Sequence, residues 1–154
     1  MSPPRVLVVF HSRSGGTRAL CDAVVDGLAA GCPEGERRVL GAFDADVDDV
    51  RWADGVILGT PTHFGYMSGA LKDFFERIYR PLLEETVGLP WGLFVKGESD
   101  VDGCVASVER IVTGLRWKRV LPPVKVVGDV GDDHLAAAQE LGATIAAGLE
   151  AGVF

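Results

Sequence analysis

The stretch "VLVVFHSRSGGTRAL", residues 6–20, changes from an apolar run to a loop of hydroxyls and glycines and then to helical spacing. Residues 6–10 are a continuous β-branched and apolar run, as expected for a strand buried on both faces of a parallel sheet. After the loop, apolar residues recur at the spacing of an amphipathic helix that should stop near Gly31. The stretch therefore predicts a strand, a loop and a helix in succession.

The same alternation continues along the chain. Further strands are predicted at 37–43, 55–59, 91–97 and 124–128, each followed by a helical segment. Five strands alternating with about five helices predict an α/β fold, in which helices cover both faces of an open parallel sheet. The length is that of one ordinary domain, so residues 1–154 are predicted to form a single domain.

Composition and charge exclude several classes of protein. The chain is 47% hydrophobic and 24% charged, which is typical of a globular α/β protein. Its formal net charge of −7 argues against nucleic acid or an anionic membrane as a partner. The three cysteines share no C-x-x-C spacing and are predicted to be reduced. With no membrane span or signal peptide evident, we expect a cytoplasmic protein.

The loop at residues 12–17 has the character of an anion nest. It offers three hydroxyls, two glycines and several free N–H groups at a helix N-terminus, which suits one phosphate. Neither a nucleoside-triphosphate loop nor a dinucleotide fingerprint is present. A phosphate-accepting receiver domain would need acids where this chain has His11 and Gly59, and a cysteine phosphatase would need a Cys in the loop. The alternative is that these hydroxyls only cap the helix.

A second loop, residues 61–66, follows the strand at 55–59. It places His63, Phe64 and Tyr66 around Gly65 at the same sheet edge as the nest, where open α/β sheets bind ligands. Three exposed rings are costly unless they cover something flat. The alternative is that one of these rings packs on the following helix.

These two segments carry a resemblance. "HSRSGGTRAL" resembles the phosphate loop of the flavodoxin-like superfamily, whose pattern is [ST]-x-[ST]-G-x-T. "GTPTHFGYMSGALKDFFER", residues 59–77, resembles the same stretch of tryptophan-repressor-binding-protein type NAD(P)H:quinone oxidoreductases and NADPH-dependent FMN reductases. The resemblance implies a flavodoxin-like open five-stranded sheet of order 2-1-3-4-5, with FMN as the cofactor.

The resemblance also implies where FMN would bind. Its phosphate would lie in the loop at 12–17, and its isoalloxazine between the 61–66 loop and the loop after the fourth strand, with Phe64 or Tyr66 against a ring face. The implied cofactor-binding residues are Ser12, Arg13, Ser14, Gly15, Gly16, Thr17, Pro61, Thr62, His63, Phe64, Gly65, Tyr66, Gly97, Glu98, Ser99 and Asp100. No catalytic residue and no metal site is predicted.

The third loop, "KGESDVDGC" at 96–104, departs from the glycine-rich loops of many such quinone reductases. Ser99 and Asp100 are expected to cap the next helix, although a carboxylate of Asp100 near N1 of the flavin would lower its reduction potential. His63 replaces the Arg or Tyr of many relatives. It either donates a proton during reduction or is an ordinary surface histidine.

Three functions remain open at this point. The first is a one-domain FMN protein that carries electrons between redox partner proteins, to which its acidic surface is suited. The second is an enzyme, an NAD(P)H-dependent reductase of quinones or of free flavin. The third is a flavodoxin-like fold that has lost flavin and serves as a scaffold. The oligomeric state is left open.

Overall fold

The structure, a computed structural model, describes residues 2–154, so Met1 of the predicted domain lies outside the described residues. The strands are β1 (Arg5–Phe10), β2 (Glu36–Gly41), β3 (Gly55–His63), β4 (Tyr66–Met67), β5 (Pro90–Gly97), β6 (Lys118–Arg119) and β7 (Val124–Val127). The helices are α1 (Gly16–Gly31), α2 (Val47–Trp52), α3 (Gly69–Leu82), α4 (Val101–Leu115) and α5 (Asp132–Glu150). None of the helices within residues 2–154 is both long and apolar enough to cross a bilayer.

One parallel sheet of order β2-β1-β3-β5, with β6 and β7 both beyond β5, forms the centre of the fold. The predicted order 2-1-3-4-5 is confirmed, since β5 is the fourth predicted strand and β7 the fifth. Two features increase the strand count to seven. Strand β3 continues to His63 and pairs with the antiparallel β4, and the last strand is split into β6 and β7. Pro122 and Pro123 lie in that split, and proline cannot donate to a sheet ladder.

Alternate residues of the central strands face two separate cores. Leu7 and Val9 of β1 point into one core, which is shared with α2, α3 and α4. Val6 and Val8 point into the other, which is shared with α1 and α5. All four side chains are almost completely buried, which explains why this run lacks polar residues. The sheet is therefore covered on both faces, and its loops are left at its ends.

Helix α3 is longer than the sequence indicates. The sequence "RPLLEETVGLP" at 80–90 predicts a connector, but the helix continues through Pro81 to Leu82. Pro81 cannot donate the hydrogen bond that an N–H would make to Arg77 O, but it lies in the last turn of α3, so only the end of the helix is weakened. The start of α3 is fixed by Ser68, whose hydroxyl accepts a hydrogen bond from Leu71 N at 3.2 Å.

Helices α1 and α5 cross in direct backbone contact. A Cβ atom added at Gly27 would overlap the carbonyl oxygen of Gln139 and lie 2.8 Å from its carbon. A Cβ added at Gly142 would overlap Val24 O, and one added at Gly31 would overlap Ala143 O. These glycines allow the two helices to approach more closely than any side chain would permit. Because α1 begins at the polar loop after β1, this crossing holds the loop against the sheet.

Candidate functional site

The three polar loops predicted from the sequence meet at one edge of the sheet. β1, β3 and β5 are adjacent and parallel, so their carboxyl ends lie side by side. Gly97 packs directly on Thr62, since a Cβ added at Gly97 would be 2.6 Å from Thr62 Cβ. A Cβ added at Gly65 would overlap the carboxylate of Asp100. The loop at 12–17, the segment at 61–66 and the loop at 97–100 therefore form a single site.

The first loop has the geometry of an anion nest. Gly15 adopts φ = 93° immediately before α1, a left-handed conformation that favours glycine. Among residues 2–154, the backbone N–H groups of Gly15, Gly16 and Thr17 donate to no protein group. The N-cap residue is Gly15, which has no side chain, and Ser12 Oγ instead accepts a hydrogen bond from Arg18 N at 3.2 Å, so one of the three hydroxyls satisfies an N–H group of the first turn. The free N–H groups remain available to an anion.

The two arginines of this region differ in position. Arg13 is exposed beside the nest, where its charge helps to lower the pKa of His11. Arg18 points elsewhere, because its Nε lies 3.3 Å from Asp22 Oδ1 and its guanidinium is 5.6 Å from the centre of the Phe10 ring. Of these two arginines, Arg13 is therefore the one placed to attract an anion approaching the loop.

The segment at 61–66 is a tight β-hairpin rather than a simple loop. Thr62 pairs with Met67, and His63 pairs with Tyr66. The two residues of the turn have positive φ angles, 56° at Phe64 and 66° at Gly65, as a two-residue type I′ turn requires. The Phe64 side chain is fully exposed, so the expectation that this ring could pack on the following helix is wrong. Tyr66 is 41% exposed.

Buried polar groups hold the hairpin in place. Thr60 Oγ1 accepts a hydrogen bond from Ser68 N at 3.0 Å, and Ser107 Oγ of α4 accepts one from Met67 N at 3.1 Å. Thr62 Oγ1 is buried and has no oxygen or nitrogen as a hydrogen-bond partner among residues 2–154, and the neighbouring Cys104 thiol is only a weak acceptor. A buried hydroxyl without a partner is costly, and a ligand at this edge could supply the partner.

The acidic residues of the third loop have local partners. Asp100 caps α4, and its Oδ1 accepts a hydrogen bond from Gly103 N at 3.2 Å, as predicted. Asp102 lies 2.9 Å from Lys125 Nζ, and Glu98 lies 3.0 Å from Lys96 Nζ. Asp100 combines its capping role with a position beside Gly65 of the hairpin. Its carboxylate is therefore the acidic group of this loop that the fold brings against the hairpin.

Two histidines lie at the same edge. His11 is half-buried, and its ring is 6.3 Å from the Phe43 ring in an edge-on arrangement. Burial lowers the pKa of His11, and the charges of His63 and Arg13 lower it further, so His11 is neutral at neutral pH. His63 is half-buried within the hairpin. His11 therefore provides no positive charge to the loop at neutral pH.

Two residues of this edge were missed by the sequence analysis. Phe43, which follows β2, is 65% exposed beside His11. Lys96, near the end of β5, packs its side chain against Gly16 at the start of α1. No motif marks either residue, and both reach the site only because of the order of the strands.

The chain is similar to proteins of known class. A family profile described as NADPH-dependent FMN reductase matches residues 33–128. The chain is 34% identical over 84 residues to a flavodoxin of Aquifex aeolicus, a match that covers 54% of this chain and only 45% of that protein. It is 27% identical over 161 residues to an NAD(P)H dehydrogenase (quinone) of Archaeoglobus fulgidus, covering 86% of this chain and 84% of that protein.

Solved structures share the whole fold. A flavodoxin from the domain Archaea superposes with a TM-score of 0.78 at 18% identity, covering 95% of this chain and 99% of that chain. A WrbA-like flavodoxin from Agrobacterium tumefaciens gives a TM-score of 0.76 at 22% identity, covering 93% of this chain and 95% of that chain. These structures show that the fold is shared, and the family match with the curated relatives defines the class as flavodoxin-like redox proteins that bind FMN. Within that class, the chain belongs to the NADPH-dependent FMN reductase family, whose profile matches more than half of its length.

The residues at the sheet edge fit FMN. The free N–H groups at 15–17 suit a dianionic phosphate, and the unpartnered Thr62 hydroxyl suits a polar ring edge. The absence of a side chain at Gly65 lets the Asp100 carboxylate lie against the hairpin at this edge. The exposed Phe64 ring provides an apolar surface of matching shape.

Proposed function

We propose that this chain is a one-domain electron carrier, which holds FMN at the carboxyl edge of its sheet and exchanges electrons with basic partner proteins. The observation that carries the proposal is the openness of this edge. Phe64 is fully exposed, and Phe43 and Tyr66 are 65% and 41% exposed. Exposed aromatic rings at a binding edge favour contact with another protein, and the net charge of −7 favours a basic one.

In this proposal, the loop at 12–17 binds the phosphate through its backbone N–H groups and hydroxyls, with Arg13 at its rim. The hairpin at 61–66 and the loop at 97–100 lie on either side of the isoalloxazine. FMN, when bound, supplies the one-electron and two-electron chemistry, and the chain supplies binding, orientation and electrostatics. Thr62 would donate its free hydroxyl to the ring, and the Asp100 carboxylate would place a negative charge near it.

A second candidate function is that of an NAD(P)H-dependent reductase of quinones or free flavin. The family match and the quinone dehydrogenase relative support it. It differs from the carrier in one requirement, since the nicotinamide must reach the flavin directly. The same open edge would admit a nicotinamide.

One experiment separates the two functions. The purified protein is reconstituted with FMN, and its absorbance is recorded without oxygen before and after addition of NADPH or NADH. A carrier keeps its oxidised flavin spectrum until a separate reductase or dithionite is added. Bleaching by the nicotinamide alone, together with steady-state turnover in the presence of a quinone, would establish the reductase instead. Failure to bind FMN would contradict both functions.

A further inference from the structure

Lys96 occupies an unusual place beside the N-terminus of α1. It pairs with Pro61 of β3 and Val126 of β7 within the sheet. Its side chain extends along the α1 face, since a Cβ added at Gly16 would lie 3.1 Å from Lys96 Cε and 3.4 Å from Cδ. Only 16% of the side chain is exposed. Its ammonium group, one bond beyond Cε, is thus held next to the first turn of the helix.

A cation is electrostatically unfavourable at this position. The N-terminus of a helix carries a partial positive charge, which repels a neighbouring ammonium group. The first turn of α1 contains no acidic residue that would offset this repulsion. The placement of Lys96 is therefore unfavourable unless an anion lies between the ammonium and the helix.

Glu98 is a weak partner for Lys96. Its carboxylate lies 3.0 Å from Lys96 Nζ, but its side chain is 79% exposed. Ion pairs with exposed partners contribute little to stability, because water and salt screen them. The pair with Glu98 does not by itself account for a largely buried lysine at a helix N-terminus.

We propose that Lys96 is a phosphate-binding residue of the cofactor site, and that Glu98 competes with the phosphate for its ammonium group. The proposal rests on the proposed binding of the FMN phosphate at residues 12–17. A phosphate held by the free N–H groups of Gly16 and Thr17 lies beside the Lys96 ammonium, which then forms a charge-assisted hydrogen bond with it. Glu98 is released to solvent when the phosphate binds.

The test compares FMN with riboflavin, which lacks the phosphate. Dissociation constants for the apoprotein are measured by quenching of flavin fluorescence, at low and at high NaCl concentration. Lys96→Met is expected to weaken FMN binding by about tenfold or more at low salt, while riboflavin binding is unchanged. Glu98→Gln is expected to tighten FMN binding, again without effect on riboflavin. The salt dependence of FMN binding should decrease in Lys96→Met.

Lys125→Met is the matched control. Lys125 lies on the neighbouring strand β7, but it faces α4, where it pairs with Asp102 at 2.9 Å. The Lys125→Met variant loses the same charge on the other face of the sheet, so its affinity for FMN should stay near that of the unaltered protein. Equal weakening by both lysine variants would overturn the proposal, because it would indicate only an effect of net charge.

The outcomes distinguish this proposal from the proposed function. If the unaltered protein binds FMN and Lys96→Met binds it equally well, the role of Lys96 is overturned and the function stands. If the unaltered protein does not bind FMN, both are overturned. If Lys96→Met does not fold, judged by circular dichroism, Glu98→Gln decides, since Glu98 is exposed. Unchanged FMN affinity in Glu98→Gln then overturns the proposal.

Discussion

Gly27→Ala is expected to destabilise the protein, although helix propensity alone predicts the opposite. Alanine is favoured over glycine inside a helix by about 0.5–1 kcal/mol. Gly27 lies inside α1, so helix propensity alone predicts that alanine at this position stabilises the protein. In the structure, the added Cβ overlaps Gln139 O and lies 3.0 Å from Ala143 N of α5. Rotation of a side chain cannot relieve contacts with backbone atoms.

The magnitude follows from the separation that the methyl group requires. Non-bonded carbons prefer to be about 3.5–4.0 Å apart, and the Cβ would be 2.8 Å from the Gln139 carbonyl carbon, so the helices must part locally by roughly 1 Å. Overpacking of this kind typically costs about 1–3 kcal/mol, and backbone contacts place the cost at the upper end. After the gain in propensity, a net loss of about 2 kcal/mol is expected. The corresponding decrease in Tm is roughly 4–8 °C for a domain of this size.

Urea unfolding followed by circular dichroism measures this change. The midpoint should decrease without a change in m, which would show that stability rather than compactness has altered. The control is Gly69→Ala, the first residue of α3, where an added Cβ meets nothing within 4 Å. Its stability should stay within about 0.5 kcal/mol of the unaltered protein. A Gly27→Ala protein as stable as the unaltered one would refute the backbone contact between α1 and α5.

Three further predictions concern the site and the buried thiols. Phe64→Asn should leave the free energy of unfolding unchanged or raise it by up to about 1 kcal/mol, because asparagine tolerates the φ of 56° and the ring is fully exposed, while FMN affinity decreases. Asp100→Asn should keep the α4 cap and raise the reduction potential of bound FMN, measured by spectroelectrochemistry, since one negative charge beside Gly65 is removed. Burial raises the pKa of Cys21 to about 12 and that of Cys104 to about 11. Below the pKa of the unfolded thiols, both states are protonated and stability is at its full value. As the pH rises above it, the unfolded state releases protons that the folded state retains, so the free energy of unfolding decreases. The urea midpoint should therefore decrease between about pH 9 and pH 11.

Each of these predictions has a result that contradicts it. A loss of stability in Phe64→Asn would mean that the ring is packed in the free protein. An unchanged potential in Asp100→Asn would place its carboxylate too far from the ring to affect it. For the thiols, Cys104→Ala should have a flatter stability profile at alkaline pH, whatever its stability at pH 7. An equally steep profile would assign the alkaline transition to other groups.

The sheet could be predicted from the sequence because its strands are buried on both faces. Residues 6–10 and 55–59 are uninterrupted apolar runs, and short runs of this kind between polar turns are typical of buried parallel strands. The hairpin at 61–66 was not predicted. Its turn residues are Phe64 and Gly65 rather than the Asn-Gly or Asp-Gly pair that marks most type I′ turns. The pairing of β3 with β4 and the hydrogen bond from Met67 N to Ser107 of α4 hold the hairpin, and they keep Phe64 at a positive φ angle that phenylalanine disfavours.

The sequence predicted the parts of the candidate site that consecutive residues form. It did not predict the residues that strand pairing brings to the site from elsewhere in the chain. The nest at 12–17 is formed by consecutive residues, so its hydroxyls and glycines identify it directly. Lys96 reaches the nest through the pairing of β3 with β5 and through the packing of α1 on the sheet. Neither relation leaves a pattern in the residues around position 96. Gly27 was missed for a similar reason, because its partner Gln139 is remote in the sequence.

The crossing of α1 and α5 also bears on the order in which the protein is made. The helix that begins at the nest is synthesised well before the surface that it packs against, which lies in residues 132–150. Until that segment leaves the ribosome, α1 has only the sheet to hold it, and its glycine-lined face is open to water. A nascent chain should therefore acquire tight FMN binding late, when α5 has emerged. Variants that weaken the crossing, such as Gly27→Ala, should then bind flavin less well during synthesis and refolding, in addition to the loss of stability in the finished protein.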